Sequence, residues 1–261
     1  MSRQQLRITC VTCKKRRVKG RTLQGRKVNK CLCQPCYDDD KATVFFGSSA
    51  GDWFLKRAIE HCTNSIPQNT DELIRLIELY KENSRARGWG CIDGKFYSTY
   101  DYELCHRDPC KGNGFTGALV VGNLFIGLKS MNQKIGNMEP KTNHGYRITE
   151  QGETLTGIDA REILKGLYDL KRVVNECKLT RKSTGEPKDF MTENCMSPRE
   201  IFNSNLERLG HDTKSYRLPE EHIEEGFEML HDESLLDTMT FLKEHGSGNN
   251  NSTNIAGDDD F

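Results

Sequence analysis

The chain has 261 residues, 35% hydrophobic and 29% charged, with a mean hydropathy of −0.72; this is a polar composition with a modest core. No run of eighteen apolar residues occurs, and the opening MSRQQLRITC has no apolar stretch, so neither a membrane-spanning helix nor a secretory leader is expected. The formal charge of zero averages two unlike regions: residues 1–36 hold eleven Lys and Arg and no Asp or Glu, which leaves the remainder at −11 and points to an anionic partner at the N-terminus.

Eleven cysteines, five of them in the first 36 residues, do not form an even disulfide framework and suggest metal. Cys10-x2-Cys13 and Cys33-x2-Cys36 lie nineteen residues apart, the spacing of a closed tetrahedral site of four thiolates for a structural Zn2+, with Cys31 as an alternative to Cys33. So short a segment has little core, and the metal would supply its folding energy. Between the pairs run Lys14, Lys15, Arg16, Arg17, Lys19, Arg21, Arg26 and Lys27, suited to the phosphates of DNA. The acidic run at 38–40 suggests a boundary, giving a basic zinc ribbon over 1–40.

Trp53, Phe54, Ala58, Ile59 and Cys62 recur at helical spacing, with Asp52 as a cap. A second helix is predicted from Thr70 to Ser84, through Leu73, Ile74, Ile77 and Tyr80, stopped by Gly88 and Gly90. From Lys95 onward Phe96, Tyr97, Tyr100, Tyr102 and Leu104 suggest strand, and residues 111–117 a glycine-rich loop. A short strand over 118–121 and a helix over 123–135, through Leu124, Leu128, Met131 and Ile135, complete a ββα pattern.

That segment carries His106-x2-Pro109, then Asn123-Leu124, then Asn132 nine residues after Asn123. Order and spacing resemble the HNH (His-Me finger) nucleases over about residues 100–137, in particular phage-encoded members whose last His is Asn. A neutral imidazole at a strand end can deprotonate water near pH 7. The resemblance implies a metal-dependent DNA endonuclease in which His106 is the general base, Asn123 orients its loop or ring, and Asn132 stands at a metal-ligand position for Mg2+ or a similar cation. The chain departs from the family at Cys105, where Asp is common, and at Leu128 and Met131, which stand where a zinc-clip version has cysteines. The cation then needs Glu103 or Asp108, assisted by His144 or Asn137. Cys105 with Cys110, and Cys91, form an alternative second structural metal site.

Beyond residue 150 helices are expected over 159–177, from Pro198, from Pro219, and over 235–242. Residues 246–261 are low-complexity. Their end, Asp258-Asp259-Asp260-Phe261, resembles the acidic tips of bacterial and phage single-stranded DNA-binding proteins, which implies docking on a replication or transcription protein. The expected architecture is therefore α+β: a four-cysteine zinc ribbon (1–40), helices plus an HNH-like ββα core (41–150), a helical region (151–245) and an acidic tail (246–261). The functions that follow are a cytoplasmic DNA endonuclease (in the host cytoplasm if phage-encoded) or a non-catalytic, zinc-dependent nucleic-acid-binding accessory protein.

Overall fold

The structure is a computed structural model that describes residues 7–10, 12–14, 17–19, 34–93, 95–98, 100–136, 143–150, 152–155, 159–182, 190–191, 195–213 and 218–231. It is an α+β protein: helices packed with small antiparallel sheets.

β1 (Arg7–Thr9) and β2 (Arg17–Lys19) form an antiparallel hairpin with Arg7 opposite Lys19. Its turn is tightened where Lys14, at φ 59, donates its N–H to the Cys10 carbonyl at 3.0 Å. α1 (Gln34–Gly47) runs without a break through residues 38–40, so the expected boundary falls inside a helix. The acidic run is instead a charged face, with Asp38, Asp39 and Asp40 paired to Lys171, Lys165 and Arg181 while Ala42 and Phe45 are buried.

α2 (Ser49–Ile59) is capped by Ser48, whose hydroxyl accepts from the Gly51 N–H at 3.0 Å; Asp52, expected as the cap, sits in the first turn and pairs with Lys56 and Lys182. Gly51 is required by close approach, since a Cβ there would lie 1.9 Å from the Phe45 carbonyl oxygen. α3 (Thr70–Arg87) is capped by Asn69 and ends at Gly88, which takes a left-handed φ of 59.

β3 (Trp89–Ile92) pairs with β4 (Lys95–Ser98). β5 (Tyr102–His106) then leads through a loop containing β6 (Thr116–Gly117) and a 3-10 turn (Val121–Asn123) to β7 (Leu124–Leu128) and α4 (Lys129–Ile135). β5 and β7 are antiparallel, with Tyr102 opposite Leu128 and His106 opposite Leu124. The helix expected over 123–135 is thus half strand. Leu124, Phe125, Ile126 and Gly127 are all buried, so the apolar run carries no alternation to distinguish strand from buried helix. The strand expected at 118–121 is displaced as well: its neighbour β6 pairs with β8 (Arg147–Ile148) instead.

The stretch 159–177 divides into α5 (Ala160–Leu167) and α6 (Leu170–Glu176). Tyr168 turns extended at the break, its hydroxyl donating to the Pro67 carbonyl at 2.6 Å, and Asp169 caps α6 through the Arg172 N–H. β9 (Phe190–Met191) adds to β3. α7 (Pro198–Arg208) starts in a reciprocal Ser197–Glu200 capping box, and a 3-10 turn at Glu220–His222 leads into α8 (Ile223–His231). The helix expected over 235–242 and the tail 246–261 lie outside the described residues.

One contiguous core joins these elements, with Phe45, Phe54 and Tyr168 in edge contact among α1, α2 and the α5–α6 break, and Tyr102, Phe202 and Phe227 grouped where β5 meets α7 and α8. Among the described residues no helix is long and apolar enough to cross a membrane.

Candidate functional site

At the N-terminus the Sγ atoms of Cys10, Cys13 and Cys36 lie within 4.8 Å of one another, brought there by the end of β1, its turn and the first turn of α1. Three convergent thiols can hold a metal ion. Cys33 and its alternative Cys31 lie outside the described residues, as do Lys15, Arg16, Arg21, Arg26 and Lys27. Lys14 is exposed at the turn beside the thiols, and Arg17 and Lys19 belong to β2.

The second site is the loop between β5 and β7. Asn123, fully buried, holds it shut: its Oδ1 accepts from the Asp108 N–H at 2.8 Å, and its Nδ2 donates to the carbonyls of Asp108 at 3.0 Å and Ala118 at 2.9 Å. The Asp108 carboxylate, also fully buried, accepts from Arg147 Nε at 2.8 Å and from the Tyr146 N–H at 3.1 Å. The Arg147 guanidinium in turn lies 4.8 Å over the Phe115 ring. Asp108 is therefore a structural anchor, already committed to the Arg147 cation.

Successive residues of β5 face opposite sides of the sheet. Glu103 and Cys105 face α4, where Asn132 Nδ2 donates to Glu103 Oε1 at 2.6 Å and Cys105 is buried near Gly127 and Met131. Burial pushes the Cys105 thiol well above its ordinary range, which keeps it protonated. His106 belongs to the other face. Its ring stacks on that of His61 with centroids 6.3 Å apart and planes at 22°, and its Nε2 is buried with no hydrogen-bond partner. The structure thus joins Glu103 to Asn132 and seats His106 apart from them, at the end of the same strand.

His61 was not singled out by sequence. It lies just past the end of α2 and is 2% exposed. Its Nε2 is 3.3 Å from Cys110 Sγ and its Nδ1 is 3.3 Å from Ser65 Oγ. The Ser65 carbonyl accepts from the Leu119 N–H at 2.7 Å, which docks the His61–Ser65 turn onto the loop. Burial lowers His61 to about 4 and His106 to about 3, so both rings are neutral at physiological pH; in His106 the neighbouring His61 and Arg57 act in the same direction. No spacing rule links His61 to residues 45 and 49 positions downstream, and only the tertiary fold reveals the cluster. Cys91 is buried in β3, Cys105 faces α4 and Cys110 faces His61, so these three cysteines do not converge. His144 is half-buried ahead of β8, and Asn137 lies outside the described residues.

A separate groove of about 700 Å³ opens beside α2 and α3. Trp53, stacked on Tyr80 at 4.7 Å, lines it together with Lys56, Lys81, Lys178 and Lys182. Comparison with family models, curated proteins and solved structures finds no match to the chain.

Proposed function

We propose that the protein is a metal-dependent DNA endonuclease of HNH type, with an N-terminal zinc module that helps hold the nucleic acid. The observation that carries this reading is the order of parts around one loop. An antiparallel strand pair runs directly into a helix, His106 ends the first strand, and buried Asn123 ties the loop at its far end through three hydrogen bonds. His106 is neutral with an unpartnered Nε2, and for it to take up a proton the approach of water and phosphate would have to relieve the burial that lowers it. In this reading His106 takes the proton of the attacking water, Asn123 fixes the loop that His106 opens, and the Mg2+ would be held on the His106 face of the strand pair, since Glu103 and Asn132 pair with each other on the opposite face. Such a cation would stabilise the charge that develops on the scissile phosphate. Zn2+ is the metal proposed for the thiols of Cys10, Cys13, Cys33 and Cys36. The basic N-terminal residues and the lysine-lined groove, with its stacked aromatic pair, supply phosphate and base contacts. Asp258-Asp259-Asp260-Phe261 would recruit a replication or transcription protein.

A second reading, a binding protein without chemistry, is favoured by one observation: Cys105, protonated and buried, occupies the place of a metal-binding carboxylate. Supercoiled plasmid incubated in Mg2+ or Mn2+ separates the two. The nuclease reading predicts nicking that disappears in EDTA and in His106→Ala. Absence of nicking, alongside a mobility shift that fades with added salt, replaces it with the second reading.

A further inference from the structure

We infer that His61 and Cys110 form a binding site for a transition-metal cation of the Zn2+ class, on the face of β5 that carries His106 and away from the Glu103–Asn132 pair. His61 lies outside the ββα resemblance and Cys110 is none of its motif residues, and the ligands come from two separate pieces of chain: the turn after α2 and the loop after β5.

Ser65 Oγ is the hub of the turn: it lies 2.9 Å from the Cys62 carbonyl oxygen, 3.1 Å from the Cys62 nitrogen, 3.3 Å from Cys62 Sγ and 3.3 Å from His61 Nδ1. With Nδ1 held there, His61 Nε2 lies 3.3 Å from Cys110 Sγ. An outer hydrogen bond at one ring nitrogen that aims the other is the usual support of a metal-bound imidazole.

The separation fits as well. Tetrahedral Zn2+ with its ordinary sulfur and nitrogen bond lengths sets the two donor atoms about 3.5 Å apart. The pair therefore needs a shift of a few tenths of an ångström to chelate. Both ligands sit on a braced frame, because Asn123 and Arg147 clamp Asp108, two residues before Cys110, and Leu119 is bonded to Ser65.

The independent sign of a missing occupant is His106. Its Nε2 is buried and unpartnered, on a ring stacked beside His61. A buried nitrogen left so is costly unless something polar lies against it, and a cation carrying water or a phosphate oxygen supplies that group. Imidazole and thiolate select Zn2+ and its neighbours over Mg2+ or Ca2+. On binding, the Cys110 S–H bond breaks, a sulfur–metal bond forms and the proton passes to solvent, so affinity rises with pH.

The inference rests on the proposed nuclease reading only for what the cation would do next to His106; binding itself is measured without DNA. Full-length protein is reconstituted with Zn2+, desalted and assayed for bound metal. The expected result is that Cys110→Ser and His61→Gln each hold one equivalent less than the wild type, while Cys10→Ser loses metal independently of them. Equal zinc in wild type and Cys110→Ser, with matching circular dichroism, overturns the inference. If the variants are unstable, alkylation of wild-type Cys110 followed by mass spectrometry gives the same decision. Zn2+ should slow its labelling severalfold where Mg2+ does not, and equal labelling in both overturns the site. Zinc bound at Cys110 without any plasmid nicking removes the nuclease reading and leaves this site standing. Nicking with zinc content unchanged in Cys110→Ser does the reverse.

Discussion

At the scale of single residues, the site depends on buried polar groups whose partners are fully specified. Asn123 satisfies one N–H and two carbonyls at once, and truncation leaves all three without that partner in a dry interior. Asn123→Ala should cost about 3 kcal/mol, read as a lowered denaturation midpoint, with Asn123→Asp no rescue because a carboxylate cannot donate to the two carbonyls. The two stacked histidines make a pH signature. Their folded values lie at about 4 and about 3, below the ordinary 6.5, so the unfolded chain takes up protons first as pH falls. Stability from these neutral rings is complete above pH 6.5 and drains as pH drops towards the folded values. For metal-free protein, the urea midpoint should fall between pH 7 and pH 5, and a His61→Gln/His106→Gln double variant should flatten that change. An unaltered slope in the double variant would assign the acid sensitivity elsewhere.

Elements are held in place by side chains that act as surrogate backbone. The clearest is Asn205 of α7, which accepts from the Ile126 N–H at 3.0 Å and donates to the Ile126 carbonyl at 2.7 Å, fastening α7 to β7. Arg208 extends the link to Glu82 of α3 at 2.7 Å. Asn205→Leu should destabilise the protein by about 2 kcal/mol despite adding apolar volume, because it leaves two backbone groups unpaired; hydrogen exchange at Ile126 should rise first. Such links also explain which elements were legible. The helix starts expected at Thr70 and at Pro198 coincide with those of α3 and α7, where the Asn69 cap and the Ser197–Glu200 capping box fix them. The break at Tyr168 depends on a bond to Pro67, 101 residues away, and nothing local announces it. β7 was read as helix because burial on both faces erases the period. The positions of His106 and Asn123 at the two ends of one loop follow the sequence reading, while the second strand of the expected ββα lies at Leu124–Leu128 rather than 118–121. The His61–Cys110 pair was not legible, since it joins two turns with no shared motif.

At the scale of the molecule, the hydrophobic core among the described side chains runs from Ala42 of α1 to Leu230 of α8. The β1–β2 hairpin has three paired residues on each strand and adjoins the Cys10, Cys13 and Cys36 cluster, whose thiols could hold a metal ion; in the proposed reading that metal would give the hairpin its cohesion. Chelation, or Cys13→Ser, should therefore weaken DNA binding and loosen the hairpin while the main thermal transition stays close to that of the untreated protein. Collapse of the main transition on chelation would mean that the thiols hold the core as well. If the proposed reading holds, DNA binding should be steeply salt-dependent, and loss of head contacts should lower that slope along with the affinity. The central claim is that His106 removes a proton during phosphodiester hydrolysis, and chemical rescue tests it most directly. Plasmid nicking by His106→Gly should be lost and then partly restored by added imidazole, with no such response in the wild type. Nicking by His106→Gly at the wild-type rate would contradict the account.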